Sequence, residues 1–179
     1  MAQQGEPDSA RLFFALWPDA GVRRRVAEHC PRHGRLVPPQ NWHVTLVFLG
    51  GVTARVRAAL EQAADAADPE AFSLSLDRRG CWRRSGIFWL AASAVPSALQ
   101  RLQLQLAEAA AEMGVPRETR PYLPHLTLAR KARPEPETII DPIQWRVDEF
   151  CLVRSELLPQ GARYAVLRRW PLRGGGQPG

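Results

Sequence analysis

Residues 43–46 read His-Val-Thr-Leu, and residues 125–128 repeat the pattern as His-Leu-Thr-Leu. Each copy lies in an apolar run with a period of two, which predicts a β-strand over residues 42–49 and another over residues 125–129. Because side chains alternate along a strand, the His and Thr of each copy point to the same face. The copies are 82 residues apart, about half of the chain. This spacing indicates two related lobes that each offer one strand to a shared cleft.

Outward from these motifs, the pattern predicts further strands and three helices. The remaining strands are expected over residues 11–17, 72–76, 87–91, 145–155 and 163–172, and a basic turn over residues 78–84 is expected to join the second and third of these. The helices begin after Asp19, after Thr53 and near Pro96, and the first and last end at Pro31 and Gly114. A charged loop with prolines is expected over residues 131–142. In the first motif strand, strict alternation places Leu49 on the face of His43 and Phe48 on the opposite face.

The order of these elements predicts the fold class. Helices alternate with strands that pair mainly as hairpins, which is typical of α+β proteins. Neither half is expected to bury its sheet alone, so residues 11–172 are expected to form a single compact domain. Residues 1–10 are expected to be a flexible N-terminus and residues 173–179 a flexible glycine-rich tail.

Charge and composition limit the classes of partner. The formal net charge is +6, and Lys131 is the only lysine, so arginine supplies nearly all of the positive charge. Such a balance favours a polyanionic partner. An arginine-rich surface that reflects only coding bias remains the alternative. No apolar run approaches the roughly 18 residues of a membrane span, and the first residues do not resemble a secretory signal, so we expect a cytoplasmic protein with no membrane partner.

The three cysteines do not suggest a disulfide framework or a metal site. Cys30, Cys81 and Cys151 are far apart in the sequence and odd in number, so they are expected to be reduced and structural. His29 and His33 are four residues apart, which could place two metal ligands on one helical face, but Pro31 interrupts that helix. We therefore predict no metal and no cofactor.

Two histidines across a cleft suit the cleavage of a phosphodiester without a metal. That reaction needs one group to take a proton from the attacking water and another to protonate the leaving oxygen. The pKa of an unperturbed histidine lies near neutral pH, so His43 and His125 could hold opposite protonation states together. The hydroxyls of Thr45 and Thr127 could bind the non-bridging oxygens, and Arg130 adds a guanidinium fork that matches phosphate.

These motifs resemble the tandem His-x-Thr signature of the 2H phosphoesterase superfamily, and among its members the RNA 2′,3′-cyclic phosphodiesterases, long called 2′-5′ RNA ligases. The similar stretches are RLFFALWP at residues 11–18, HVTLVFLG at 43–50, RPYLPHLTLAR at 120–130, and the closing residues 153–172. The resemblance implies two pseudo-symmetric lobes of antiparallel sheet, with helices packed outside, around a central cleft. Ala165 departs from it, because an acidic residue is expected after the Arg-Tyr pair.

The resemblance also implies the roles of the site residues. His43 would be the proton donor to the leaving ribose oxygen, and His125 the base that accepts a proton from water. Thr45, Thr127 and Arg130 match the phosphate-binding positions. The expected substrate is an RNA 2′,3′-cyclic phosphate end, which would be opened to a 2′-phosphate, with ATP-independent 2′-5′ ligation as a side activity.

The sequence leaves several residue roles, the exact function and the oligomeric state open. Tyr122, flanked by prolines, is our first candidate to stack on the terminal base, ahead of Phe13, Phe14 and Phe48. The arginines and Trp82 of the basic turn could contact RNA or form a solvated hairpin tip. The alternative functions are a phosphodiesterase for small cyclic nucleotides or 2′-5′ oligonucleotides, and a non-catalytic module that binds RNA ends. A monomer is the default oligomeric state.

Overall fold

The computed structural model describes residues 9–174, and a single antiparallel sheet with three α-helices dominates them. The elements in chain order are β1 (Ala10–Leu16), α1 (Ala20–Ala27), β2 (Arg35–Leu36), a short 3₁₀ turn (Pro39–Asn41), β3 (Val44–Val52), α2 (Ala54–Ala66), β4 (Phe72–Trp82), β5 (Ile87–Ala91), α3 (Ser97–Glu112), β6 (His125–Arg130), β7 (Thr138–Val147), β8 (Glu149–Leu158) and β9 (Gly161–Pro171). The predicted α+β class is confirmed.

The sheet consists of two halves that are built alike. Its strand order is β7-β4-β5-β6-β3-β1-β8-β9, and β2 pairs separately with β6. In one half β1, α1 and β3 form a strand, a helix and an antiparallel strand, and in the other half β5, α3 and β6 do the same. The strand that carries a His-x-Thr motif is the innermost of each half. The halves meet where Val44 of β3 opposes Leu126 of β6.

The helices form where their sequences supply caps and apolar stripes. The side chains of Asp19 and Thr53 accept hydrogen bonds from the backbone of the first turns of α1 and α2. The third helix buries Leu99, Leu102 and Leu106 at helical spacing. All three helices pack their apolar stripes into the main hydrophobic core, which also contains the inward side chains of the sheet.

The segment after β6 differs from its predicted form. The predicted loop over residues 131–142 ends earlier, because β7 begins at Thr138, and the single strand expected over residues 145–155 is two strands separated at Asp148. Before Asp148 the chain pairs with β4, and after it the chain pairs with β1 in the other half of the sheet. Pro142 lies inside β7, which is tolerated because β7 is an edge strand of the sheet that residues 9–174 form.

The predicted basic turn also needs correction. β4 extends through Trp82, so Arg78 belongs to a strand, and only residues 83–86 form the turn. Ala10 already pairs with Val52, and Arg173 forms a bridge with Glu70. The segments predicted to be flexible, residues 1–10 and 173–179, lie for the most part outside the described residues, and their flexibility stays a prediction. Among residues 9–174, no helix is both long and apolar enough to cross a membrane.

Candidate active site

The two His-x-Thr motifs lie side by side where the halves of the sheet meet. Val44 and Leu126, which follow the two histidines, are antiparallel partners and are fully buried in the main core. Because strand side chains alternate, His43 and His125 project from the opposite face of the sheet. Each histidine is partly buried, as is the threonine two residues later. The sheet therefore brings the two predicted motifs together, as their spacing suggested.

The two imidazole rings are held in the same way. Nδ1 of His43 is 2.7 Å from the carbonyl oxygen of Asn41, and Nδ1 of His125 is 2.8 Å from that of Leu123. A carbonyl oxygen can only accept, so each ring donates Nδ1–H to the backbone two residues upstream. The Nε2 atom of each ring is thereby left to accept a proton in the neutral form or to donate one in the charged form. In the first motif, Nε2 lies 3.1 Å from the hydroxyl oxygen of Thr45.

The surroundings favour the neutral form of both rings. Burial lowers the pKa of His43 to about 4, the bond to the Asn41 carbonyl partly opposes this, and the positive charges of His125 and Arg130 lower the pKa further. Burial also lowers the pKa of His125, again against its carbonyl bond, and Arg130 adds to the lowering. A bound phosphate anion would oppose these effects and favour a protonated ring.

A β-bulge follows each histidine at the same place. On β1, Ala15 pairs with Thr45 and its neighbour Phe14 pairs with Val47, so Leu46 is an extra residue without a partner on β1. On β6, the pairing with β5 leaves out Leu128 in the same way. The leucine of each motif is therefore the bulged residue. Bulges re-aim the side chains that follow them.

The bulges correct the predicted alternation of the first motif strand. A second irregularity in the pairing of β1 with β3 leaves out Leu49, which is buried in the main core. Phe48, in contrast, is 68% exposed and lies beside Phe13, with 6.0 Å between the two ring centroids. The predicted faces of Leu49 and Phe48 are thus wrong. Phe48 is the fifth residue after His43, and Arg130, also exposed, is the fifth residue after His125.

Three aromatic rings surround His43, and of these the sequence had singled out only Phe13 as a candidate for the cleft. The ring of Trp17 stacks on that of His43 at 5.3 Å and 9°, and the rings of Phe13 and Tyr164 lie 4.9 Å and 5.2 Å away. These rings fix the plane of the imidazole and exclude water from it. The alternation of β1 could have shown that Phe13 and Trp17 share a face, but Tyr164 comes from a strand more than a hundred residues further along.

The other histidine has an aromatic neighbour from a different strand. Trp82, at the end of β4, meets His125 edge-on at 4.7 Å between ring centroids. The sequence had singled out Trp82 only as part of a basic turn. The pairing of β4 with β5, and of β5 with β6, carries it to the site.

Tyr122 has a more internal position than the one suggested by its flanking prolines. Its ring packs against the main core, its hydroxyl donates to the backbone carbonyl of Thr45 at 3.1 Å, and burial raises its pKa. Base stacking by Tyr122 stays a prediction, and the observed contact ties the loop before His125 to the first motif. Nε2 of His33 lies 2.7 Å from a carboxylate oxygen of Glu135. Within residues 9–174, no cluster of three or more His, Cys, Asp or Glu side chains is placed to hold a metal ion.

Comparison with protein families and curated proteins gives a consistent result. The family model of the 2′-5′ RNA ligase superfamily matches residues 13–157. An RNA 2′,3′-cyclic phosphodiesterase of Escherichia coli is 39% identical over 170 residues, which cover 90% of this chain and 96% of that protein. A protein of the same name from Thermus thermophilus is 32% identical over 186 residues and covers 92% of this chain and 91% of its own length.

Solved structures match over the same extent. E. coli LigT in its apo form superposes with a TM-score of 0.83 and 36% identity, and the match covers 93% of this chain and 99% of that one. The complex of E. coli LigT with 3′-AMP has the same TM-score and identity, covering 92% of this chain and 99% of that one. The fold and both motif strands thus lie within the matched region.

Proposed function

The chain belongs to the 2′-5′ RNA ligase superfamily, and on this premise we propose that it is an RNA 2′,3′-cyclic phosphodiesterase that opens cyclic phosphate ends to 2′-phosphates without a metal. The observation that carries the proposal is the matched anchoring of the two histidines. Each ring donates Nδ1–H to a backbone carbonyl two residues upstream, at 2.7 Å and 2.8 Å, and both keep Nε2 for proton transfer on one face of the sheet.

In the proposed reaction, a water molecule attacks phosphorus while the bond from phosphorus to the ribose 3′-oxygen breaks. Nε2 of neutral His125 takes a proton from the water, and Nε2 of protonated His43 gives a proton to the leaving 3′-oxygen. The 2′-oxygen keeps the phosphate. The next cycle begins after His125 has lost its proton to solvent and His43 has gained one.

The neighbouring side chains are proposed to bind the phosphate of the substrate and to balance its negative charge. The hydroxyls of Thr45 and Thr127 and the guanidinium of Arg130 are proposed to bind the non-bridging oxygens, because a guanidinium fork fits a phosphate in two places. The pKa of His43, about 4 in the free protein, implies that the acid receives its proton when the anionic substrate is bound. The same anion also compensates for the cationic Arg130.

The same arrangement permits ligation as a side reaction. If the 5′-hydroxyl of a second RNA replaces the water, the 3′-oxygen leaves as before and the product is a 2′-5′ phosphodiester. No ATP is consumed, because the strained cyclic ester supplies the driving force. A monomeric state and a cytoplasmic location stay predictions from the sequence.

The test is turnover of an RNA that ends in a 2′,3′-cyclic phosphate, measured in excess EDTA, with the phosphate position of the product read by ³¹P NMR. We expect a 2′-phosphate, and we expect EDTA to leave the rate unchanged. A 3′-phosphate product would reverse the leaving group assigned here. Binding of the RNA without turnover would favour the non-catalytic module, and an activity restored only by one divalent ion would contradict the metal-independent reaction.

A further inference from the structure

The two histidines of the site are anchored alike, but within residues 9–174 only His43 stacks face to face on an aromatic ring. The planes of His43 and Trp17 are 9° apart, and their ring centroids are 5.3 Å apart. We propose that Trp17 is a positioning residue that makes His43 the acid of the pair, because the face of its indole ring stabilises the protonated imidazole. This inference rests on the function proposed above and deepens it, since it says what separates the roles of the two histidines.

The repeated architecture of the sheet places different residues opposite the two histidines. On β1, Leu16 is the last paired residue, and one further step in its register places Trp17 opposite His43. On β5, which corresponds to β1 in the other half, the partner of His125 is Ala91. Side chains at directly opposed positions lie close together on one face of a sheet. The strand pairing that the halves share therefore does not require an aromatic ring at this position, which points to a role in the chemistry of His43.

Trp17 is held in place by its neighbours along the chain and on the sheet. It lies between β1 and α1, where Pro18 restricts the backbone and Asp19 caps the first turn of the helix. Its side chain packs against a small apolar cluster that consists of Phe13, Ala15, Cys151 and Val153. Because the ring is already ordered, little conformational entropy has to be lost when the imidazole gains its proton.

The stack contacts a part of the imidazole that its hydrogen bonds leave free. Nδ1 of His43 donates to the Asn41 carbonyl at 2.7 Å, and Nε2 lies 3.1 Å from the hydroxyl oxygen of Thr45. Both of these contacts are at the edge of the ring, whereas Trp17 lies against its face. The indole can therefore stabilise the charged ring without competing for the proton that Nε2 gives to the leaving oxygen.

The other surroundings of His43 oppose a positive charge. Burial lowers its pKa, and the charged groups that lower it further, His125 and Arg130 of β6, are cations. Tyr164, a titratable neighbour from β9, meets the imidazole with its aromatic ring at 86°. In the part of the chain that the structure describes, no carboxylate forms an ion pair with His43.

A tryptophan face is suited to offset this deficit. The face of an aromatic ring carries the negative part of its quadrupole, and a cation within about 6 Å of the centroid of a tryptophan is attracted to it. The centroid distance of 5.3 Å between Trp17 and His43 is within that range. Both histidines donate to a backbone carbonyl, so that bond does not distinguish them, whereas the stack favours the acid form of His43 alone.

The experiment withdraws electrons from the face of Trp17 without changing its size. Tryptophan with one to four fluorine atoms on the benzene ring is introduced at position 17, and the imidazole C–H signal of His43, assigned by its loss in His43→Ala, is titrated by NMR from pH 8 downward. Sulfate is present in place of the phosphate of the substrate. The titration midpoint should fall stepwise with each fluorine, by about 0.5 to 1.5 pH units in total, because the cation–π contact is lost while the burial of His43 is kept.

Kinetics of the same proteins separate this effect from a structural defect. At pH 8, kcat for an RNA with a 2′,3′-cyclic phosphate end should fall severalfold along the series with little change in KM. Turnover of a nitrophenyl phosphodiester should stay constant, because its leaving group needs no proton. The matched control is the same fluorinated series at Trp170, which stacks on Phe150 at 5.2 Å. The control should change neither the midpoint of His43 nor kcat.

Three results would overturn the role of Trp17 and leave the phosphodiesterase proposal standing. These are a constant His43 midpoint along the series, an equal effect of the series at Trp170, and a loss of kcat that persists with the nitrophenyl substrate. Turnover of the cyclic phosphate by His43→Ala at the wild-type rate would instead refute the acid of the proposed function, and the inference with it.

Discussion

The low pKa of His43 makes the stability of the protein depend on pH in a way that one substitution should remove. The unfolded chain has a histidine pKa of about 6.5, whereas burial holds the pKa of folded His43 at about 4. Between these two values the unfolded state binds more protons than the native state, so the free energy of unfolding falls as the pH falls. Between pH 8 and pH 5, the titration of His43 alone should lower the free energy of unfolding by about 2 kcal/mol.

His43→Asn is the perturbation that isolates this cost. Asparagine does not titrate, and its side-chain amide can still donate to the Asn41 carbonyl, which Nδ1 of His43 approaches at 2.7 Å. All other titrating groups are common to both proteins. Between pH 8 and pH 5, the free energy of unfolding of the wild type should therefore fall by about 2 kcal/mol more than that of the variant.

The assay is urea unfolding followed by tryptophan fluorescence at pH 8, 7, 6 and 5. Thr127→Val, a neutral change beside the other histidine, is the control and should parallel the wild type. If wild type and His43→Asn lose stability in parallel, then His43 binds protons as readily in the folded as in the unfolded chain, and the assigned desolvation is wrong. Sulfate, whose charge is constant over this range, should reduce the difference between them, because a bound anion raises the pKa of His43.

The remaining predictions concern the reaction. His43→Ala and His125→Ala should each lower kcat at least about a hundredfold with the fold intact, whereas His29→Ala, outside the site, should not. A nitrophenyl phosphodiester, whose leaving group needs no proton, should partly restore His43→Ala alone, and equal recovery of both variants would refute the acid and base roles. The rate should show a bell-shaped dependence on pH, with limbs that belong to the coupled pair of histidines, and a flat profile from pH 5 to 9 would contradict a two-histidine reaction. Arg130→Lys should lower kcat/KM even though the charge is kept, because lysine lacks the guanidinium fork. Thr45→Val should act similarly, because valine lacks the hydroxyl. Unchanged kinetics in Arg130→Ala would place the phosphate pocket elsewhere.

The sequence by itself determined the elements whose signals are local. Caps at Asp19 and Thr53 and apolar stripes at helical spacing are read within a few turns, and the helices form where these signals lie. The repeated His-x-Thr-Leu pattern identified the two strands that meet at the centre of the sheet. Its length of four residues was enough, because the relation between a histidine and the threonine two residues later depends only on strand alternation.

Only the tertiary structure decided how distant residues face one another. The bulges at Leu46 and Leu128 send Phe48 and Arg130 to the face of the histidines, and they arise from the register with a partner strand instead of from their own sequence. In the same way, Tyr164 reaches His43 through the long return of β8 and β9 to the first half of the sheet. Burial, which sets the pKa of His43, exists only once these segments are packed together. Periodicity in the sequence predicts which face of a strand a residue occupies. Register and burial, in contrast, depend on contacts between residues that are far apart along the chain.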